Sequence, residues 1–259
     1  MSELILTERD AYDVKGVVKL TLNRPDAFNA LSEAMLEALE RALKEVAGSD
    51  ARVVVLAGAG RAFCAGHDLK EMRAEPALDY YRALFERCSR MMLTIQRMPQ
   101  PVIARVQGIA TAAGCQLVAM CDLAVASSDA RFAVSGVNLG LFCATPSVPL
   151  SRNVSRKAAF EMLVTGEFID APKAMERGLV NRVAAPGELD DAVRALAATI
   201  AAKPREAVAA GKGLFYRQIE TGIEAAYALA SETMACNMMD DATLEGTQAF
   251  IEKRPPNWK

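Results

Sequence analysis

Apolar and polar positions divide the chain into short apolar runs, helical stripes and glycine-rich turns. Residues 3–7 and 14–22 alternate or run apolar around a polar stretch, which predicts a β-hairpin. Arg24-Pro25-Asp26 breaks its second strand. Ser32 is placed to cap a helix running to about Ala47, with Met35, Leu39, Leu43 and Val46 on its buried face and Gly48 as its stop. The solid apolar run 53–56 reads as a strand buried on both faces. A second amphipathic helix is expected over 77–97, with Leu84, Cys88, Met91 and Ile95 inward, and a strand over 101–106. Further strands are expected at 122–127, 131–134 and 180–183. Helices are expected near 112–120, 155–165 and 171–177, then across 188–203, 205–220, 222–239 and 241–252. The stretch 135–149, SGVNLGLFCATPSVP, reads as a loop around a site.

Two of these strands deliver glycine-rich turns. The first is AGAGRAFCAGHDL at 57–69, where Gly58, Gly60 and Gly66 allow positive φ and close approach of a ligand. The second is VQGIATAAGCQLVAM at 106–120, where the chain enters a small-residue helix near Ala112. Such a turn can aim backbone N–H groups at a developing oxyanion, and a helix start adds free N–H groups and a partial positive charge. The pair is expected to grip one oxygen from two sides.

Composition narrows the classes. The 259 residues, 52% of them hydrophobic, suffice for one large domain, and a net charge of −2 with no basic stripe speaks against nucleic acid. No apolar stretch approaches the roughly 20 residues of a membrane span. The acidic N-terminus, MSELILTERDAYD, shows neither a secretory signal nor a transit peptide, so the cytoplasm is the default expectation. Six scattered cysteines, none in C-x-x-C spacing, read as reduced and mostly buried thiols. A single histidine, His67, excludes His-rich metal sites; no metal is expected.

LNRPDAFNAL at 22–31, AGHDL at 65–69, GCQLVAMCDLAVAS at 114–127 and AFIEKRPPNWK at 249–259 together resemble the enoyl-CoA hydratase/isomerase superfamily, the crotonase fold. FAVSGVNLGLF at 132–142 is similar to the animal mitochondrial enoyl-CoA hydratase domain-containing proteins. The resemblance implies an α/β crotonase (ClpP-like) spiral of repeated ββα units over 1–187. It further implies a C-terminal helical oligomerisation region over 188–259 that closes a homotrimer or a dimer of trimers. It implies an acyl-CoA thioester substrate of fatty acid metabolism, with coenzyme A as part of that substrate and no separate cofactor. The oxyanion donors it implies are the backbone N–H groups of His67 and Ala113, the second requiring negative φ at Ala113. Arg24, Arg61, Ala65, Asp68, Leu69, Lys70 and Lys253 are carried over to coenzyme A binding. Gly114, Ser135, Gly136, Asn138 and Cys143 are carried over to the substrate pocket.

The departures matter as much. Where a hydratase of this family places two glutamates, this chain has Gln116 and Gly136. An amide can hold water but is no useful base, and glycine brings no functional group. The nominal activity is that of an enoyl-CoA hydratase-type lyase, with efficient hydration in question. The alternatives are a malonyl-type acyl-CoA decarboxylase, which needs enolate stabilisation but no strong base, and an acyl-CoA binder without turnover. A third reading is that Gly136 leaves room for a bound anion or water in place of the carboxylate. Cys143 is read as pocket lining, since no second histidine could activate it.

Overall fold

Through the middle of the chain, strands that follow one another alternate between two sheets, and this places the site. The computed structural model describes residues 3–258. The hairpin forms from β1 (Ile5–Arg9) and β2 (Val17–Leu22), followed by α1 (Glu33–Ala47). Ser32 caps α1 by accepting the N–H of Met35, and Met35, Leu39, Leu43 and Val46 are buried as the stripe predicts. Three ββα units follow. The first is β3 (Val53–Gly58), β4 (Ala62–Cys64), α2 (Leu69–Ala74) and α3 (Leu78–Arg97). The second is β5 (Val102–Val106), β6 (Ile109–Thr111) and α4 (Ala113–Met120). The third is β7 (Leu123–Ser127), β8 (Arg131–Ala133), α5 (Ala144–Asn153) and α6 (Arg156–Thr165). The chain continues through β9 (Ile169–Asp170), α7 (Ala171–Glu176) and β10 (Arg182–Ala184) to α8 (Leu189–Ala201), α9 (Arg205–Gln218), α10 (Ile223–Asn237) and α11 (Asp241–Ile251).

The first strand of each unit joins a six-stranded sheet of order β1-β2-β3-β5-β7-β10, parallel except for the β1–β2 pair. The second joins a four-stranded sheet of order β4-β6-β8-β9. Each glycine-rich stretch therefore contains the link between the two sheets, at 59–61 and 107–108, and its donor residue follows the second-sheet strand. This is the α/β spiral of the crotonase fold, built with sheets that are parallel except for the β1–β2 and β8–β9 pairs.

β3 is buried along its whole length because it is covered on both faces. Val54 and Leu56 enter the main core with α1 and α3, while Val53 and Val55 meet Leu189, Val193 and Ala197 of α8. α8 is thus part of the core, and the expected boundary at residue 187 does not separate core from appendage. Only α10 and α11 stand off, since α9 still docks through buried Lys212. The buried residues of α10 and α11 are Ala226 and Ala249 alone, and Ile223, Met234, Met239 and Phe250 are exposed.

The stretch 135–149 is also corrected. It is a 3-10 turn over Ser135–Leu139 followed by the start of α5, with Pro146 in the first helical turn, where its missing N–H costs nothing. Lys259, the last residue of the C-terminal motif, lies outside the described residues. Among the described residues no helix is long and apolar enough to cross a membrane.

Candidate active site

The first turn is held by a short parallel bridge. Leu31 N–H donates to Gly66 O at 2.8 Å and Asp68 N–H to Leu31 O at 3.4 Å, so His67, between them, faces its own N–H away from Leu31. The second turn ends at the start of α4, where Ala113 is the first helical residue. No acceptor among the described residues takes the N–H of His67 or of Ala113. Gly66, at φ 91°, brings the turns together: a Cβ there would lie 3.2 Å from Ala113 N and 3.0 Å from Ala112 Cβ. Ala113 avoids positive φ, as a donor in that place must. The strained residue is its neighbour Ala112, at φ 50° and ψ −119°.

Both donors line one cavity of about 210 Å³. Its wall is Ala65, Leu69, Met72, Phe85, Ala112, Ser135, Gly136, Leu139, Leu141, Phe142, Cys143, Ala144, Thr145 and Pro146. No Asp, Glu, Lys or Arg is among them. The His67 ring packs edge-on against Phe85, with centroids 5.6 Å apart, and both its nitrogens are buried without a hydrogen-bond partner. Burial holds the imidazole below its ordinary pKa, opposed in part by the Leu31 backbone, which lies near the ring without forming a well-aligned hydrogen bond. The ring is therefore neutral and presents no nitrogen to the cavity. His67 faces the site with its backbone.

The two positions that hold glutamates in a hydratase are filled in different ways. Gln116 is 4% exposed and one turn beyond Ala112 and Ala113; it is not part of the cavity wall, and its Oε1 is buried without a partner. Gly136 has no spare room for a side chain. A Cβ there would stand 2.4 Å from the Leu141 carbonyl oxygen and 2.7 Å from Cys143 Sγ. The direction a side chain at 136 would take is therefore closed by backbone and thiol, while Gly136 itself still borders the cavity. Cys143 Sγ accepts the Gly136 N–H at 3.2 Å, and burial keeps the thiol above its ordinary pKa despite that bond. Ser135 lines the cavity, and its hydroxyl lies 3.0 Å from that of Thr111.

Several expected site residues serve elsewhere. Asn138 is exposed and donates to Gly166 O at 3.3 Å, away from the cavity. Gly114 is a packing residue: a Cβ on it would be 2.1 Å from Cys64 O, so only glycine lets α4 lie on β4. Asp68 caps α2 through the N–H groups of Lys70 and Glu71 and pairs with Arg24 at 2.7 Å. Burial alone would raise its pKa, but the Arg24 hydrogen bond and the two amides outweigh that and lower it. Arg61 stacks its guanidinium over Phe28 at 4.4 Å. Lys70 is exposed, and none of these charged groups enters the cavity. Lys253 follows α11, whose tail runs to Trp258 beside Gly16 and Arg52, at the strand starts, opposite the end that carries the donor turns. It does not join the cavity of its own chain.

Met72 and Phe85 were not singled out from the sequence, whereas Leu139, Leu141 and Phe142 fall in the stretch 135–149 read as bordering a site. Phe85 sits at the margin of an amphipathic helical stripe, where a cavity aromatic and a core aromatic look alike.

A family model for enoyl-CoA hydratase/isomerase matches residues 13–259. The chain is 45% identical over 244 residues to rat enoyl-CoA hydratase domain-containing protein 3, mitochondrial, covering 94% of this chain and 81% of the relative. Among solved structures it is similar to an enoyl-CoA hydratase from Mycobacterium smegmatis, at 68% identity and TM-score 0.97 over 99% of both chains. It is also similar to human enoyl Coenzyme A hydratase domain-containing protein 3, at 42% identity and TM-score 0.94 over 98% of this chain and 100% of that one. The mitochondrial names of the vertebrate relatives overturn the cytoplasmic expectation, which rested only on the lack of a recognised signal.

Proposed function

The chain belongs to the enoyl-CoA hydratase/isomerase family, and from that premise we propose that it binds an acyl-CoA thioester with the carbonyl oxygen between the N–H groups of His67 and Ala113. The observation that carries this reading is the pair of unpaired, adjacent donors facing one apolar cavity. As an enolate or tetrahedral species forms, the carbonyl oxygen gains charge. Two preset donors stabilise it, the loss of one costing about 3 kcal/mol in comparable sites.

Water addition additionally needs a base beside the β-carbon. Gln116 and Gly136 supply none, and no carboxylate lines the wall. Efficient hydration is therefore not part of the proposal. The uncharged lining favours a second reading, decarboxylation of a malonyl-type thioester: CO₂ leaves without a base, and an apolar wall disfavours the ionised carboxylate before it leaves.

The deciding experiment offers the protein a mixed panel of crotonyl-, longer enoyl-, malonyl- and methylmalonyl-CoA and follows each mass, with a binding titration alongside. Loss of CO₂ with untouched enoyl species supports the second reading. Binding without turnover leaves an acyl-CoA binder. Rapid hydration would overturn the inference drawn from Gln116 and Gly136. The exposed apolar faces of α10 and α11 support a homotrimer or dimer of trimers, which light scattering on the purified protein would test.

A further inference from the structure

Asn29 is fully buried, polar and so far without a role. It adopts a left-handed conformation, φ 55°, which asparagine tolerates better than most residues. Its Nδ2 donates to the carbonyls of Ala59 at 2.9 Å and Ala62 at 2.9 Å, with that of Phe63 at 3.2 Å. Its Oδ1 accepts the Arg24 N–H at 2.9 Å. The amide approaches so closely that a Cβ on Gly58 would stand 2.9 Å from Nδ2. That turn therefore needs glycine at 58 in part because Asn29 is there.

These contacts flank the first oxyanion donor. On one side the amide fixes three carbonyls of the turn leading to residues 65–68. On the other it fixes the backbone of Arg24, whose guanidinium holds Asp68, the residue after His67. The strand partner is the same segment: Ala65 N–H donates to Phe28 O at 3.0 Å, and Leu31 N–H to Gly66 O. We propose that Asn29 is a positioning residue, which fixes the direction of the His67 N–H through the turn at 59–63 and through the Arg24–Asp68 pair. This rests on the acyl-CoA reading above, because a direction matters only if that N–H meets a ligand oxygen. A misdirected donor loses most of its worth, since hydrogen bonds weaken steeply off axis.

The test is the infrared carbonyl stretch of butyryl-CoA labelled with ¹³C at the thioester carbonyl, bound at saturation; a saturated acyl group has no double bond to hydrate. In the wild type the stretch moves to lower frequency on binding. Asn29→Gly removes every side-chain contact while suiting the left-handed backbone, and is expected to lose about half of that shift or more. Arg24→Met cuts only the arm to Asp68 at a partly exposed position, and is expected to lose a smaller share. If Asn29→Gly does not fold, Asn29→Asp, which keeps the acceptor for the Arg24 N–H and removes the Nδ2 donors, is read in its place. A full shift in the folded variants overturns the role of Asn29 and leaves the acyl-CoA reading standing. Bound butyryl-CoA with no shift in the wild type overturns that reading, and this inference with it.

Discussion

Replacing Ala112 with glycine should make the protein more stable. Ala112 sits at φ 50° and ψ −119°, near the first central position of a type II′ turn, which glycine dominates. An L-residue there carries strain of about 1–3 kcal/mol. Two bonds over-determine it: its N–H donates to Ala133 O at 2.9 Å, and its carbonyl accepts the Gln116 N–H at 3.0 Å. Glycine keeps both bonds and removes the strain, at a cost of about 0.4–1 kcal/mol from the freer unfolded chain. The net gain is about 1 kcal/mol, which for a chain of this size raises Tm by about 2–4 °C. Urea unfolding at fixed protein concentration should show a higher midpoint with unchanged slope. Acyl-CoA affinity should not fall, because the Ala113 N–H is untouched. A lower midpoint would refute the reasoning, since it would mean that the Ala112 methyl contributes more by packing than its backbone loses by strain.

Lys212 is buried on α9 and donates to Ile95 O, Gln100 O and Asp122, whose other oxygen accepts from Tyr216; Lys212→Met should cost about 3 kcal/mol or more by stranding Asp122, as denaturant melts would report. His67 has a folded pKa below its ordinary value, so the unfolded chain takes up a proton that the folded chain refuses as pH falls below about 6.5. Stability should therefore drop between pH 6.5 and the folded pKa, and the drop should be smaller in His67→Phe when unfolding is compared at pH 7.5 and 5. Gly136→Glu should cost several kcal/mol, because its Cβ would meet the Leu141 carbonyl, so Gln116→Glu with Gly136→Glu should not create a hydratase. A folded double variant that hydrates crotonyl-CoA would show that this wall can open.

What the sequence made legible follows from which features are local. The Ser32 cap and the fully apolar β3 act through neighbours in the chain and are where the pattern puts them, and Gly60 and Gly66 take the positive φ expected of them while Gly58 does not. β4 and β6 were missed because each lies inside a glycine-rich stretch read as one turn, whereas the equally short β8 was expected at 131–134; β4 and β6 join β8 and β9 in the second sheet. α5 was read as loop because Pro146 and Pro149 look like breakers; the first falls where a helix has no bond to lose. The functions of Gly114 and Gly136 were invisible because they depend on what a Cβ would strike, Cys64 O in one case and Leu141 O in the other. Asp68 and Asn138 resembled site residues by motif, but the first spends its charge on Arg24 and a helix cap, and the second bonds Gly166.

The site combines a costly preorganisation with an inert lining. Ala112 carries strain, Asn29 buries an amide, and Arg24–Asp68 holds an ion pair, all beside two N–H groups that bond nothing within the chain. Were the cavity only a shaped corner, those donors could have been turned into ordinary backbone bonds at no loss. On the proposed reading, the donor at the helix start and the one beside the parallel bridge are kept for an acceptor that arrives from outside the chain. On that same reading, a wall with no ionised group leaves the bound thioester to react by its own bond-breaking or not at all. Carbonyl polarisation is thus the property that every surviving reading shares.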